Sequence, residues 1–256
     1  MFNAIRITLL LLILFFVAVS TLLTQSRSTD WNNSLWVKVY PVNGDDSIES
    51  ERYISSLKLQ DFESIETFMA REVVKYGHSL ERPVRMELGR PVAEQPPVLG
   101  EAPGLIGVVL WSLKLRLWAG KATRDQDDPA PDVRIFVRYH APRGDLVLEN
   151  SVGMQKGMVG VVNAFADRRQ TQMNNVVIAH EFLHTLGAAD RYEPATGLPL
   201  YPSGYAEADR SPLLPQRYAE IMAGRIAQSE SDAIMPKSLS YVVIGPDTAS
   251  EVRLTD

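Results

Sequence analysis

The sequence predicts an α/β fold of the α+β kind: a mixed β-sheet, one helix that carries the chemistry, and a smaller irregular C-terminal part. Three observations predict it. Strand-like and helix-like stretches follow in the order strand, helix, strand, strand, strand, helix, which lays helices against a mixed sheet. The 256-residue chain is 45% apolar and 22% charged, enough for one sizeable core and unlike a disordered chain. Beyond Asp190, Pro194, Pro199, Pro202, Pro212 and Pro215 punctuate a long stretch with no helical or strand period. Long irregular segments of that kind in compact domains are often functional.

The chain opens on "ITLLLLILFFVAVSTLL", Ile7 to Leu23, free of charge, with Arg6 before it and Arg27 and Asp30 after it. About 17 apolar residues is short for a membrane span and long for a signal-peptide core. The run is read as an uncleaved transmembrane anchor in preference to a signal peptide cut near "AVS", Ala18 to Ser20. Either way Arg6 stays inside and the rest is exported. The expected location is therefore membrane-anchored on the periplasmic or extracellular side, with secretion after cleavage as the alternative.

"LWVKVYPV" (Leu35 to Val42) reads as the first strand. Residues 61–76 read as an amphipathic helix, with Phe62, Ile65, Met69, Val73 and Tyr76 at spacings of three and four. "RPVRMELG" is the second strand. "GLIGVVLWSLKLRLWAGK" (Gly104 to Lys121) is either a core helix on the sheet or a surface helix that touches lipid through Trp111 and Trp118. The core reading is preferred, because apolar stripes are usually core. "DQDDPAPD" (Asp125 to Asp132) lacks the regular oxygen spacing of a calcium loop and reads as a solvated acidic loop. "VRIFVRY" (Val133 to Tyr139) alternates cleanly. "GMVGVVNAF" (Gly157 to Phe165) is a further strand, either the sheet edge that pairs with an extended substrate or an interior strand.

Then comes "VVIAHEFLHTLGAADRY", residues 176–192. Turned at 100° per residue over 172–186, Met173, Val177, His180 and His184 share a 60° sector. Two imidazoles at i and i+4 stand about 6 Å apart along the axis and can reach one ion. Glu181 lies off that line, where a carboxylate can hold water without ligating. This is the H-E-x-x-H arrangement of two ligands and a general base. The chain has no cysteine and no histidine after His184, so a third ligand must be a carboxylate. Gly187 can end the helix in the left-handed conformation, and Asp190 then returns toward the ion.

"HEFLHTLGAAD" resembles the metzincin zinc-peptidase signature, with aspartate in place of the usual third histidine, as in snapalysin-type members. The resemblance implies Zn²⁺ held by His180, His184 and Asp190, with Glu181 as catalytic base and a peptide or protein as substrate. It implies an N-terminal catalytic subdomain at 30–187 behind the 1–29 anchor or signal, and a C-terminal subdomain at 188–256 with a methionine turn. Met222 in "EIMAG" is preferred for that turn, because Gly224 supports a tight bend; Met235 in "AIMPK" is the alternative. An anionic third ligand leaves the ion's water less acidic, so the expected pH optimum is neutral to alkaline.

Two other readings compete. A thermolysin-like peptidase would use Glu207 as third ligand. A membrane-anchored binding or assembly protein would keep the metal for structure alone, and would need neither Glu181 nor an open fourth position. A net charge of −5 gives no basic footprint, so nucleic acid is not an expected partner. His78 and His140 read as surface or strand-end residues. Tyr192, Tyr205 and Tyr218 read as packing groups, and Arg191 as a local ion pair.

Overall fold

The computed structural model describes residues 31–100, 104–127, 129–143, 151–154 and 158–255. The N-terminal apolar run lies outside the described residues, and so does the choice between anchor and signal. Among the described residues no helix is long and apolar enough to cross a membrane.

The main elements are β1 (Leu35–Asn43), α1 (Ile48–Ser55), α2 (Glu63–Lys75), β2 (Val84–Leu88), α3 (Leu105–Ala122), β3 (Val133–His140), β4 (Val152–Met154), β5 (Val159–Phe165) and α4 (Thr171–Leu186). The sheet runs β2-β1-β3-β5-β4. β2, β1, β3 and β5 are parallel, and β4 lies antiparallel on β5. This is the mixed sheet that the sequence predicts. β5 is an interior strand, and the edge belongs to β4, whose three residues are too few to show a period.

Alternation decides the layers. Val133, Ile135, Val137 and Tyr139 point with Val37, Val39, Val162 and Ala164 into one core, covered by Ile65, Met69 and Val73 of α2 and by Ile178, Phe182 and Leu183 of α4. Tyr40, Val42, Phe136 and Val159 point the other way, under Leu115 and Ala119 of α3. Trp111 and Trp118 pack on this second face; the Trp118 and Phe136 ring centres are 4.5 Å apart. Both indoles therefore face the sheet, in line with the preferred core reading of this helix and not with the lipid alternative.

The reading of the acidic loop as solvated is corrected. Asp127 is buried and accepts from Arg134 Nε (2.7 Å), Thr123 Oγ1 (2.6 Å) and the Tyr40 hydroxyl. Burial raises its carboxyl, but these donors outweigh burial and hold it below the usual range. It ties the turn after α3 to β1 and β3. α1 has no counterpart in the sequence reading. Its Ser47 side chain accepts from Ser50 N, yet only Ser50, Tyr53 and Ile54 are buried, too short an apolar stripe to register.

Past α4 the chain forms turns and two-residue strands, β6 (Ala219–Glu220), β7 (Ile226–Ala227), β8 (Ala233–Ile234) and β9 (Val242–Val243), then α5 (Pro246–Glu251). Ile221, Met222, Leu239, Val242, Ile244 and Val252 join the same core as α2 and α4. Two buried carboxylates fasten this part. Glu72 accepts from Ile244 N at 2.9 Å. Glu220 accepts from Met222 N (2.6 Å), Ala223 N (3.1 Å) and Gly245 N (3.1 Å).

Candidate metal centre

α4 lies between the sheet and the C-terminal part, so its residues are buried nearly all round. His180 and His184 stand one turn apart with ring planes at 86° and centres 4.6 Å apart. Their Nε2 atoms are 3.0 Å apart. That contact is not an ordinary hydrogen bond. His180 Nδ1 lies 2.9 Å from Ile221 O, and His184 Nδ1 lies 2.7 Å from Ala188 O. A carbonyl oxygen only accepts, so each Nδ1 carries the proton, and in the neutral rings both Nε2 atoms present lone pairs.

Asp190 closes the figure. α4 ends at Leu186 because Gly187 turns left-handed at φ 114°, with its N–H and that of Ala188 returned to Leu183 O. The chain folds back, and Asp190 Oδ1 arrives 3.2 Å from His180 Nε2 and 3.1 Å from His184 Nε2. Three acceptors then face one point. Ligands at 2.0–2.1 Å from a tetrahedral zinc lie about 3.3 Å apart, so the three residues fit such an ion as they stand. Burial raises the Asp190 carboxyl, but its contacts with the two imidazoles outweigh that and hold it well below the usual carboxylate range. Burial disfavours a charged His180, yet Asp190, the Glu181 charge and the Ile221 carbonyl outweigh it and raise its pKa.

The ligand atoms of His180, Glu181 and His184 lie within 4.8 Å of one another, so a cluster able to hold a metal ion is present. Glu181 is 4% exposed. Its Oε2 has no hydrogen-bond partner. Burial pushes its carboxyl up, and the two histidines pull it back. A buried carboxylate oxygen left free beside three converging acceptors is a proton acceptor in waiting.

Gly153 was not expected from the sequence. A β-carbon there would collide with the Glu181 carbonyl oxygen and the His184 β-carbon, so β4 can lie on α4 only with glycine at this position. Tyr192, read from the sequence as a packing group, lies at the site. Burial, then the Asp190 and Glu181 charges, raise its pKa. It lines a cavity of about 530 Å³ together with His180, Glu181 and the apolar Met173, Val176 and Val177. The tyrosine two residues after a suspected ligand was the available signal.

The remaining candidates separate clearly. Met222 is fully buried, in the turn whose Ile221 carbonyl holds His180, and its own carbonyl accepts from Arg191 N at 3.0 Å. Met235 is 37% exposed, on the cavity wall. Glu207 is paired with Arg217 and is not in the cluster, so the thermolysin-like assignment has no geometry behind it. His78 lies 3.1 Å from Leu254 O and His140 lies 3.1 Å from Asn163 Oδ1, both away from the centre. Arg191 pairs with Glu251 at 3.0 Å, and Glu251 also accepts from Ala189 N at 2.9 Å. Tyr205 bridges to Ala219, and Tyr218 is exposed beside Arg217.

No protein-family model matches the chain, and no curated protein does. Among solved structures, the chain is similar to catalytically inactive OgpA from Akkermansia muciniphila in complex with an O-glycopeptide substrate. The identity is 12% and the TM-score 0.31, over 85% of this chain and 58% of that one. The chain thus spans less than two thirds of that protein, and so loose a likeness fixes neither its fold nor its activity.

Proposed function

We propose that the chain is a zinc-dependent endopeptidase of metzincin type with an aspartate ligand, acting on peptides outside the cytoplasm and anchored by its N-terminal run. One observation carries the reading: two neutral imidazoles and a carboxylate turn only acceptors toward one point, beside a buried glutamate with a free oxygen. A cation at that point satisfies all three acceptors at once.

His180, His184 and Asp190 would hold Zn²⁺, which would supply Lewis acidity to a water and to the substrate carbonyl. The chain does the rest. Glu181 takes the proton of the attacking water on Oε2 and passes it to the leaving amine as the C–N bond breaks. Burial, which raises its carboxyl, suits it to both steps. Gly153 of β4 lets that carboxylate lie close against the strand, since a β-carbon there would crowd Oε2 at 3.1 Å. Tyr192 stands where its hydroxyl can donate to the oxygen that gains charge. β4 is the outermost strand, and an extended peptide can add to it as the next strand. Met222 would form the methionine turn, since its neighbour Ile221 orients His180.

The test is metal content together with cleavage of a casein-type substrate, wild type against Glu181→Gln. The variant is expected to keep its zinc and lose activity by about 10²- to 10⁴-fold. Equal activity in the two proteins would sink the enzyme reading and leave the metal a structural role.

A further inference from the structure

We propose that the outward face of α3 lies on the surface of an anionic bilayer, the one that holds the N-terminal apolar run. The proposal rests on that anchoring and is independent of the peptidase reading.

α3 is apolar on two sides and only one is covered. Leu115, Trp118 and Ala119 pack on the sheet. On the opposite side Val109, Leu110, Leu113 and Leu117 fall within a 100° sector, exposed by 54, 54, 48 and 76%. This is a contiguous stripe about 12 Å long, unlike the scattered apolar residues of an ordinary surface. A helix facing water on this side would carry polar residues there.

Charge selects the occupant. From Gly104 to Arg124 there is no acidic residue, in a chain with 31 acidic and 26 basic ones. Lys114 and Lys121 flank one edge of the stripe and Arg116 the other. Lys121 pairs with Glu94 at 3.2 Å on the surface, and Lys114 and Arg116 have no carboxylate partner among the described residues. An apolar stripe edged by cations suits acyl chains below and anionic phosphates beside them, with the basic side chains reaching up to the headgroups.

Chain length brings the two together. The apolar run ends at Leu23, and Trp31 is already fixed, its Nε1 donating to Val252 O at 2.9 Å. Eight residues span at most about 29 Å. The chain enters the sheet at the end of β1 to which the turn after α3 is tied, by Lys38 Nζ to Gln126 O at 2.9 Å and by Trp36 N to Asp132 Oδ2 at 2.8 Å. A domain held this close to lipid has, among the described residues, this uncovered apolar stripe to offer it. The sheet separates α3 from α4, the helix that carries Glu181.

The chain has no cysteine, so each engineered cysteine takes a unique environment-sensitive fluorophore. The full chain is reconstituted in phosphatidylcholine–phosphatidylglycerol vesicles as Leu12→Cys, Leu113→Cys, Leu117→Cys or Ser229→Cys, with shallow lipid-borne nitroxide as quencher. The expected result is strong quenching at 12, and quenching at 113 and 117 several-fold above that at 229. It should weaken in phosphatidylcholine alone and in high salt. Quenching at 12 with none above the 229 level at 113 and 117 overturns the proposal. So does protection of 113 and 117 that needs no lipid and rises with protein density, which would mean a second copy of the chain. Absence of quenching at 12 removes the anchoring itself, leaving the peptidase reading untouched.

Discussion

Gly153 has less freedom to change than any ligand's neighbour at the centre. Its α-carbon hydrogens face the backbone oxygen of Glu181 and the side chain of His184, with Glu181 Oε2 third at 3.1 Å from the place of a β-carbon. Gly153→Ala must push β4 off α4. Overpacking of this sort costs about 1–3 kcal/mol, so its melting temperature should fall and its zinc affinity should weaken together in a competition titration. An unchanged affinity would show that β4 does not hold the centre. At this scale the sequence was most informative where spacing has one physical meaning. His180, Glu181, His184 and Gly187 could be placed because helical rotation and a left-handed stop need no knowledge of the rest of the chain. Gly153 could not, since nothing about a glycine in "SVGM" says which helix will lie on it. Tyr192 needed the return of the chain after Gly187, which sequence suggests without aiming a side chain.

At the scale of elements, α4 is aimed from outside. Ile221 O and Ala188 O set its two rings, and the loop bearing Asp190 is moored to α5 through Glu251, which takes both Ala189 N and Arg191. Groups that orient a ligand are worth about 10- to 100-fold in metal affinity. Glu251→Ala should cost that much in a chelator competition and leave the helical circular dichroism unchanged; full affinity would mean that the loop holds itself. The loop between β1 and α1 gives a pH signature. Asp45 accepts from Ala141 N and from Ser47, and these bonds outweigh burial to bring its carboxyl from 3.8 down to about 2. A folded-state value below the unfolded one means stability that is present above pH 3.8 and lost as pH falls toward 2. Thermal melts should show that slope in the wild type and less of it in Asp45→Asn. β3 was legible from alternation alone. α3 was ambiguous because a helix apolar on both sides carries no stripe to orient it, and its tryptophans turned inward where an aromatic-to-lipid rule would turn them out.

For the whole molecule, one core runs from the sheet through α4 into the C-terminal part, so the fold is expected to persist without a metal. Chelation is expected to lower the melting temperature by an amount that tracks the logarithm of free zinc, while the far-ultraviolet spectrum at 25 °C stays the same. Unfolding on chelation would favour the rival in which the ion is only a fastener. The order of elements and the mixed sheet could be read in advance, since they follow from local periods. Which strand forms the edge could not, because that depends on a three-residue segment whose pairing is decided by distant neighbours.

The hold of Glu72 on Ile244 and of Glu220 on Gly245 has a cost for any shortened version of the protein. A chain cut after Val243 would strip both carboxylates of their distal donors, leaving Glu72 with Arg71 and Lys75, and Glu220, which braces the bend that steers His180, with Met222 N and Ala223 N alone. It would also take Ile244, Ala249, Val252 and Leu254 out of the core on which that bend rests. The chain's far end thus reaches back, through packing and two backbone donors, to the aim of an imidazole more than sixty residues earlier.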